Sequence, residues 1–113
     1  MCTKNEALII LNEAYKKISS LTAGSVVESF LYGSFARGDF TLQSDVDLFF
    51  TLNMTEKQIA ELRKKISAVS SELSLKHNVT VSISVKPHDR FVRFSEVLPY
   101  YKNIISEGIR YAG

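Results

Sequence analysis

The sequence predicts a small fold of the α/β (α+β) class, a mixed β-sheet with helices packed on one of its faces. Apolar residues recur at steps of three and four in two long segments, which is the spacing of amphipathic helices. Two other segments alternate between apolar and polar residues, as half-buried strands do. At 113 residues the chain can close one hydrophobic core, so we expect a single domain over residues 1–113.

The first half of the chain predicts a helix, a strand, a turn and a second strand. Thr3 and Glu6 have the spacing of a helix cap, and helical periodicity follows until Gly24. Residues 25–32 are mostly β-branched or aromatic and predict the first strand. Residues 45–52 alternate and predict the second strand, with polar side chains only at its beginning.

The second half predicts a helix, a strand and a last helix. Thr55 and Gln58 form another capping pattern, and the apolar stripe that follows predicts one continuous helix to Leu73. Residues 78–86 alternate and predict a third strand, which Pro87 ends.

The chain closes with a predicted helix over residues 91–107. Pro99 falls in its first turns, Gly108 occupies a C-cap position, and residues 109–113 trail behind it. This order of elements predicts polar strand ends that face a cleft, with helices covering the other face of the sheet.

Composition excludes several classes of protein. Hydrophobic residues make up 45% and charged residues 23%, the balance of a globular chain. The net charge of +2 does not support a nucleic-acid or membrane surface, although nucleic acid stays open as a partner. The single cysteine, Cys2, excludes an intrachain disulfide. No apolar run approaches the ~20 residues of a membrane span and no signal peptide is visible, so we expect a cytoplasmic protein.

A glycine and a serine mark the end of the first predicted strand. Gly33 permits a positive backbone angle and close approach of a ligand, and Ser34 offers a hydroxyl and an N–H group at the start of a helical turn. A phosphate group fits such a turn. Taken alone, the pair is more typical of an ordinary strand-to-helix turn.

Two aspartates begin the second predicted strand. Asp45 and Asp47 project from the same face because side chains two apart on a strand do so. Adjacent carboxylates repel each other, and Mg²⁺ removes that cost because it prefers oxygen ligands and keeps positions free for phosphates. The pair therefore predicts a metal site of the kind that phosphoryl and nucleotidyl transfer require.

Residues between the turn and the aspartates extend the predicted site. Arg37 either donates to a triphosphate or pairs with Asp39, and the sequence favours neither alternative. We group Arg37 and Ser44, which directly precedes Asp45, with the predicted nucleotide-binding residues. Tyr100 could stack on a base, but tyrosines of a terminal helix are more often packing residues.

The Gly-Ser turn, ten further residues and then Asp-x-Asp resemble the signature of the DNA polymerase β nucleotidyltransferase superfamily. The short chain is similar to its minimal nucleotidyltransferases, and the likeness covers most of the sequence. The resemblance implies a nucleotidyltransferase-like fold, triphosphate binding by Gly33 and Ser34, and catalytic Mg²⁺ coordination by Asp45 and Asp47. A complete spacing bounded by two strands is a specific motif, whereas Asp-x-Asp alone is not.

The sequence departs from this family at the third predicted strand. Catalytic members generally carry a third carboxylate there, which helps to bind metal and accepts the proton of the attacking hydroxyl. In this chain the polar side chains of that strand are hydroxyls, Thr80, Ser82 and Ser84. Asp89, Glu96 or a carboxylate of a partner chain remain as alternatives.

Two functions follow from the resemblance. The first is transfer of a nucleoside monophosphate, with ATP as the expected donor, to a hydroxyl of a protein, an RNA end or a small molecule. Small relatives often act as the antitoxin of a helical toxin, so such a partner is implied. The second function is a catalytically weakened binding module that neutralises a partner by complex formation, and a homo-oligomer also stays open.

Overall fold

The computed structural model describes residues 2–111, and Met1, Ala112 and Gly113 lie outside the described residues. Within that range the strands form one mixed sheet in the order β3-β2-β1-β4. Strand β1 is antiparallel to β2 and β4, and β2 is parallel to β3. The elements are α1 (Lys4–Leu21), β1 (Val26–Tyr32), α2 (Ser34–Arg37), β2 (Val46–Leu52), α3 (Glu56–Glu61), α4 (Arg63–His77), β3 (Val81–Pro87), α5 (His88–Phe94), α6 (Pro99–Glu107) and β4 (Ile109–Arg110).

The two long helices α1 and α4 cover one face of the sheet, as predicted. Helix α1 begins where the Thr3 hydroxyl accepts a hydrogen bond from the Glu6 N–H at 3.1 Å. Its buried residues are Ala7, Ile10, Leu11, Ala14 and Ile18, which helical spacing places on one side. The main core cluster includes Ile10, Leu11, Ile18, Leu31, Leu48, Phe50, Leu52, Ile59, Leu73 and Val81.

Helices α5 and α6 cover part of the opposite face, whereas the sequence predicted helices on one face only. Phe49 alternates onto the same face as Asp47, yet it is fully buried. It packs there with Phe30, Phe91, Tyr101 and Ile104 in a second apolar cluster. Because two phenylalanines of the central strands lie on this face, the short C-terminal helices are needed to exclude water from them.

The helix predicted to be continuous from Thr55 is interrupted at Leu62, so that prediction is wrong at this point. The Leu62 N–H bonds to the Ile59 carbonyl at 2.9 Å, three residues back, and α4 starts anew after it. The capping box of Thr55 and Gln58 is confirmed. Apolar periodicity did not reveal the break because Ile59 and Ile66 face the same core on either side of it.

The predicted last helix over residues 91–107 is two helices, α5 and α6. Leu98 is extended and Pro99 opens α6, because proline disfavours helical geometry in the preceding residue and fits a first helical turn. Gly108 ends α6 as predicted, with its N–H bonded to the Ile104 carbonyl at 2.8 Å. The sequence did not predict β4, which pairs with β1. In residues 2–111 no helix is both long and apolar enough to cross a membrane.

Candidate active site

The Gly-Ser turn lies where β1 ends and α2 begins. Gly33 has φ +75°, a conformation that glycine adopts without strain. A Cβ atom at this position would collide with the carboxylate of Asp47. Glycine is therefore required twice, once by the backbone angle and once by the close approach of Asp47. Gly33 thus adopts the positive angle that glycine permits, and the predicted helical start at Ser34 is confirmed.

The two aspartates meet this turn through the pairing of β1 with β2. Asp47 is the pairing partner of Tyr32, the residue directly before Gly33. Asp47 is half-buried, whereas Asp45 is exposed in the loop before β2. Burial, and then the charge of Asp45, raise the pKa of Asp47, while Arg37 opposes the shift.

The donor chemistry of the aspartate pair fits Mg²⁺. Both side chains offer hard oxygen ligands. A bound cation would offset the cost of desolvating the Asp47 carboxylate and its repulsion by Asp45, which together raise the pKa of Asp47. Among residues 2–111, no group of three or more His, Cys, Asp and Glu side chains is placed to hold a metal. The chain itself therefore provides two carboxylates here, which leaves room for substrate oxygens in the coordination shell.

Ser82 is the hydroxyl of β3 that faces the aspartates. It is the pairing partner of Asp47 on the parallel strand, and paired residues of adjacent strands project from the same face. The register thus identifies which of the three hydroxyls of this strand lies beside Asp47. Asp89 is excluded as a replacement carboxylate. It follows Pro87, which pairs with Leu52, roughly 16 Å along the strand from Asp47.

Arg37 forms two ion pairs at the surface of the site. Its Nε lies 3.2 Å from Asp39 and its guanidinium lies 3.4 Å from Glu107. The hydrogen bond to Asp39 is the main cause that raises the pKa of Arg37. The pairing with Asp39 that the sequence allowed is present, and contact with a triphosphate stays a prediction. The second pair links the end of α2 to the end of α6.

Ser44 shapes the loop that delivers Asp45. Its hydroxyl accepts a hydrogen bond from the Thr41 N–H at 2.8 Å. Ser44 and Asp45 also line a cavity of about 570 Å³ between this loop, the start of α1 and the turn before β3. Gly33, Ser34 and Asp47 do not line this cavity. It therefore adjoins the aspartate pair from the side of α1 and does not contain the predicted phosphate turn.

Two tyrosines near the aspartates were not assigned to the site from the sequence. The Tyr32 hydroxyl lies 3.1 Å from the Tyr100 hydroxyl, and the two rings meet edge to face. Burial and the hydrogen bond with Tyr100 raise the pKa of Tyr32 well above its usual value, so its phenol stays neutral. The position of Tyr32 directly before Gly33 was the available signal. Its proximity to Asp47 follows only from the antiparallel pairing.

The fold is that of a nucleotidyltransferase domain. Residues 10–112 match the nucleotidyltransferase domain family, so the chain belongs to this family, which is a class of transferases. A protein of Methanocaldococcus jannaschii named "putative protein adenylyltransferase" is 32% identical over 77 residues, which are 68% of this chain and 76% of that protein.

Solved structures share the fold at low sequence identity. A "putative nucleotidyltransferase" of Sulfolobus solfataricus superposes with a TM-score of 0.56 and 18% identity, over 98% of this chain and 87% of that one. A mutant of the toxin-antitoxin pair MntA-HpeT gives a TM-score of 0.54 and 14% identity, over 96% of this chain and 72% of that one. The predicted mixed sheet and nucleotidyltransferase-like fold are thereby confirmed.

Proposed function

We propose that the chain binds ATP with Mg²⁺ between the Gly33-Ser34 turn and the aspartate pair, and that it transfers AMP to a hydroxyl. The observation that carries this proposal is the close approach of Asp47 to Gly33, where no Cβ atom fits. A phosphate at the turn would lie beside a metal held by the aspartates. Asp45 contributes the second carboxylate from the adjoining loop.

Each residue of the proposed site has a separate role. Ser34 is the first residue of α2, directly after Gly33, where its hydroxyl can donate to a phosphate oxygen. Asp45 and Asp47 would hold Mg²⁺, which when bound supplies positive charge to the triphosphate oxygens. Arg37 adds a cation at the outer edge of the site. Ser44 orients the loop that carries Asp45.

The transfer has a simple balance of bonds. The acceptor oxygen forms a bond to the α-phosphorus of ATP, and the bond from that phosphorus to the bridging oxygen breaks. Pyrophosphate leaves with the electron pair of the broken bond, and the acceptor proton passes to solvent. Ser82, the residue paired with Asp47 on β3, is a hydroxyl and not the carboxylate that a general base requires, so we expect slow transfer by the chain alone.

The relatives suggest a protein as the acceptor. The archaeal relative is named as a protein adenylyltransferase, and one solved neighbour is a toxin-antitoxin pair. We propose that the acceptor hydroxyl belongs to a helical, toxin-like partner protein and that the chain acts as its antitoxin. Nothing in the charge of the chain favours nucleic acid over protein.

A second function is favoured by one observation, the serine at position 82. If this hydroxyl has replaced a catalytic carboxylate, the chain neutralises its partner by forming a complex and not by modifying it. Nucleotide binding would then stabilise the complex without turnover. The two functions differ in whether the partner gains mass.

The test measures transfer of radiolabelled AMP from ATP by the purified chain, alone and with the protein encoded by the adjacent gene. We expect Mg²⁺-dependent labelling of the partner that Asp45→Asn abolishes, and slow or no transfer without the partner. Intact-mass spectrometry distinguishes modification from binding. Tight complex formation without added mass supports the second function, and unchanged labelling in Asp45→Asn contradicts the proposed site.

A further inference from the structure

Tyr100 is an exposed aromatic ring that the fold nevertheless holds in one orientation. It is 43% exposed, and its ring meets those of Tyr32 and Phe49 edge-on, with centroids 6.0 Å apart in both cases. Its hydroxyl is tied to that of Tyr32 at 3.1 Å. Pro99 fixes the start of α6 directly before it. The ring thus has close contacts on one side without being buried.

This ring stands beside the proposed nucleotide site. Tyr32, which contacts Tyr100, is the pairing partner of Asp47 and directly precedes Gly33. The far end of α6 is tied to α2, because Glu107 lies 3.4 Å from Arg37. Helix α6 is therefore linked at its start to Tyr32, the neighbour of Asp47 and Gly33, and at its end to Arg37 of α2. An extended ligand anchored at the turn would have the aromatic start of α6 within its neighbourhood.

We propose that Tyr100 is the platform on which the nucleobase of the nucleoside triphosphate stacks, an inference that rests on the proposed function. Tyrosine exposes an aromatic face at low cost in conformational entropy, and every base has a π-face to place on it. The edge-on contacts with Tyr32 and Phe49 leave ring surface accessible to solvent.

Stacking recognises a planar base and not its hydrogen-bonding edge. We therefore expect ATP and GTP to bind with similar affinity and a pyrimidine triphosphate to bind more weakly, because stacking strength follows ring size. A site that reads adenine through hydrogen bonds would separate ATP from GTP strongly.

Titration calorimetry with Mg²⁺-ATP and Mg²⁺-tripolyphosphate tests the platform, because the second ligand has phosphates but no base. For Tyr100→Ala we expect affinity for ATP to fall about tenfold while that for tripolyphosphate stays unchanged. Tyr100→Phe keeps the ring, so it should bind ATP within about twofold of the wild type, since only one hydroxyl is lost. Val97→Ala is the matched control, because Val97 is 70% exposed just before α6.

Each contrary outcome has a distinct meaning. Equal loss of both ligands in Tyr100→Ala would show a structural role and overturn the platform. Unchanged ATP affinity in that variant would also overturn it, and loss of partner labelling at the same time would assign Tyr100 to protein docking. If the wild type binds ATP no better than tripolyphosphate, the platform fails while the phosphate site stands. Failure to bind either ligand contradicts the proposed function itself.

Discussion

Asp47 and Ser82 are directly paired on the parallel strands β2 and β3, with their side chains on the same face of the sheet. A hydroxyl therefore stands next to the more buried of the two aspartates. Ser82 is half-buried, so a longer polar side chain there would still reach solvent and the site. The pairing makes position 82 the place on β3 where a third carboxylate would adjoin the metal ligands.

Ser82→Asp is expected to increase AMP transfer. A carboxylate at this position adds a general base, which contributes roughly 10²–10⁴-fold to rate in enzymes that use one. It also adds an oxygen ligand beside Asp47. The measurement is the initial rate of partner labelling at saturating Mg²⁺-ATP, with thermal melts to confirm that the variant folds.

The matched control is Lys86→Asp, which places a carboxylate on the same face of β3 but farther along the strand, opposite Thr51. This change should leave the rate near that of the wild type. Equal stimulation by both substitutions would indicate a general effect of negative charge. A wild-type chain that alone transfers AMP at about 1 s⁻¹ or faster, an ordinary enzymatic rate, would show that another group already serves as base.

Gly33→Ala is expected to reduce Mg²⁺-ATP affinity more than Ser34→Ala does. The serine substitution removes one hydrogen bond to a charged group, worth about 1.5–3 kcal/mol. The alanine Cβ at position 33 instead displaces the Asp47 carboxylate and strains the backbone at φ +75°. Titration calorimetry measures both affinities.

Gly24→Ala separates these two effects. Gly24 has φ +78°, but no atom lies within 4 Å of its added Cβ. This control should lose stability from strain, of order 1 kcal/mol, while it retains ATP affinity. If Gly33→Ala binds ATP as well as Gly24→Ala does, contact between the turn and Asp47 has no part in binding.

Asp47→Asn is expected to stabilise the metal-free protein at neutral pH and to abolish its response to Mg²⁺. Burial and Asp45 raise the pKa of Asp47 above its ordinary value of 3.8, so the folded state holds this proton more tightly than the unfolded state. The stability that protonated Asp47 contributes to the folded state is fully present below pH 3.8, and it is lost as the pH rises through the folded-state pKa of Asp47.

Thermal melts at several pH values test the direction of this pH dependence of stability. The variant and the wild type should melt together near pH 3.5, a pH below the ordinary value of 3.8, and diverge above it, with the variant more stable at neutral pH. Mg²⁺ should raise the melting temperature of the wild type only. A variant that is less stable than the wild type at neutral pH would refute the electrostatic account of Asp47.

Arg110→Ala is expected to destabilise the fold by about 1 kcal/mol. Arg110 approaches Glu28 to 2.8 Å, although not with the angle of a hydrogen bond, and its guanidinium lies over the Phe30 ring. Glu28 is only 20% exposed, so loss of the cation leaves its carboxylate poorly compensated. Urea denaturation gives the change in the free energy of unfolding.

Two further variants localise that effect. Arg110→Lys keeps the charge but loses the planar group over Phe30, so its loss should be smaller than that of Arg110→Ala. In Glu28→Gln the cation of Arg110 has no carboxylate to compensate, so adding Arg110→Ala there should cost less than it does in the wild type. An unchanged urea midpoint in Arg110→Ala would show that β4 does not depend on this pair.

Local sequence patterns determined the parts of this protein that depend on neighbouring residues. The caps at Thr3 and Thr55 and the core stripe of α1 follow from periodicities of a few residues, which backbone geometry imposes directly. Gly33 permits a positive backbone angle by its residue type, and it adopts one. Asp45 and Asp47 were grouped because alternation along one strand places both on one face.

Tertiary structure alone decided which distant residues meet. Tyr32 and Tyr100 are 68 residues apart, and no local pattern encodes their contact. The register of β3 against β2, which places Ser82 and not Thr80 beside Asp47, depends on packing of whole strands. The break at Leu62 escaped detection because periodicity reports which side of a helix is buried, and both helices bury the same side. Local sequence thus determines which residue types the proposed site contains. Which distant residues lie beside them is decided only when the sheet assembles.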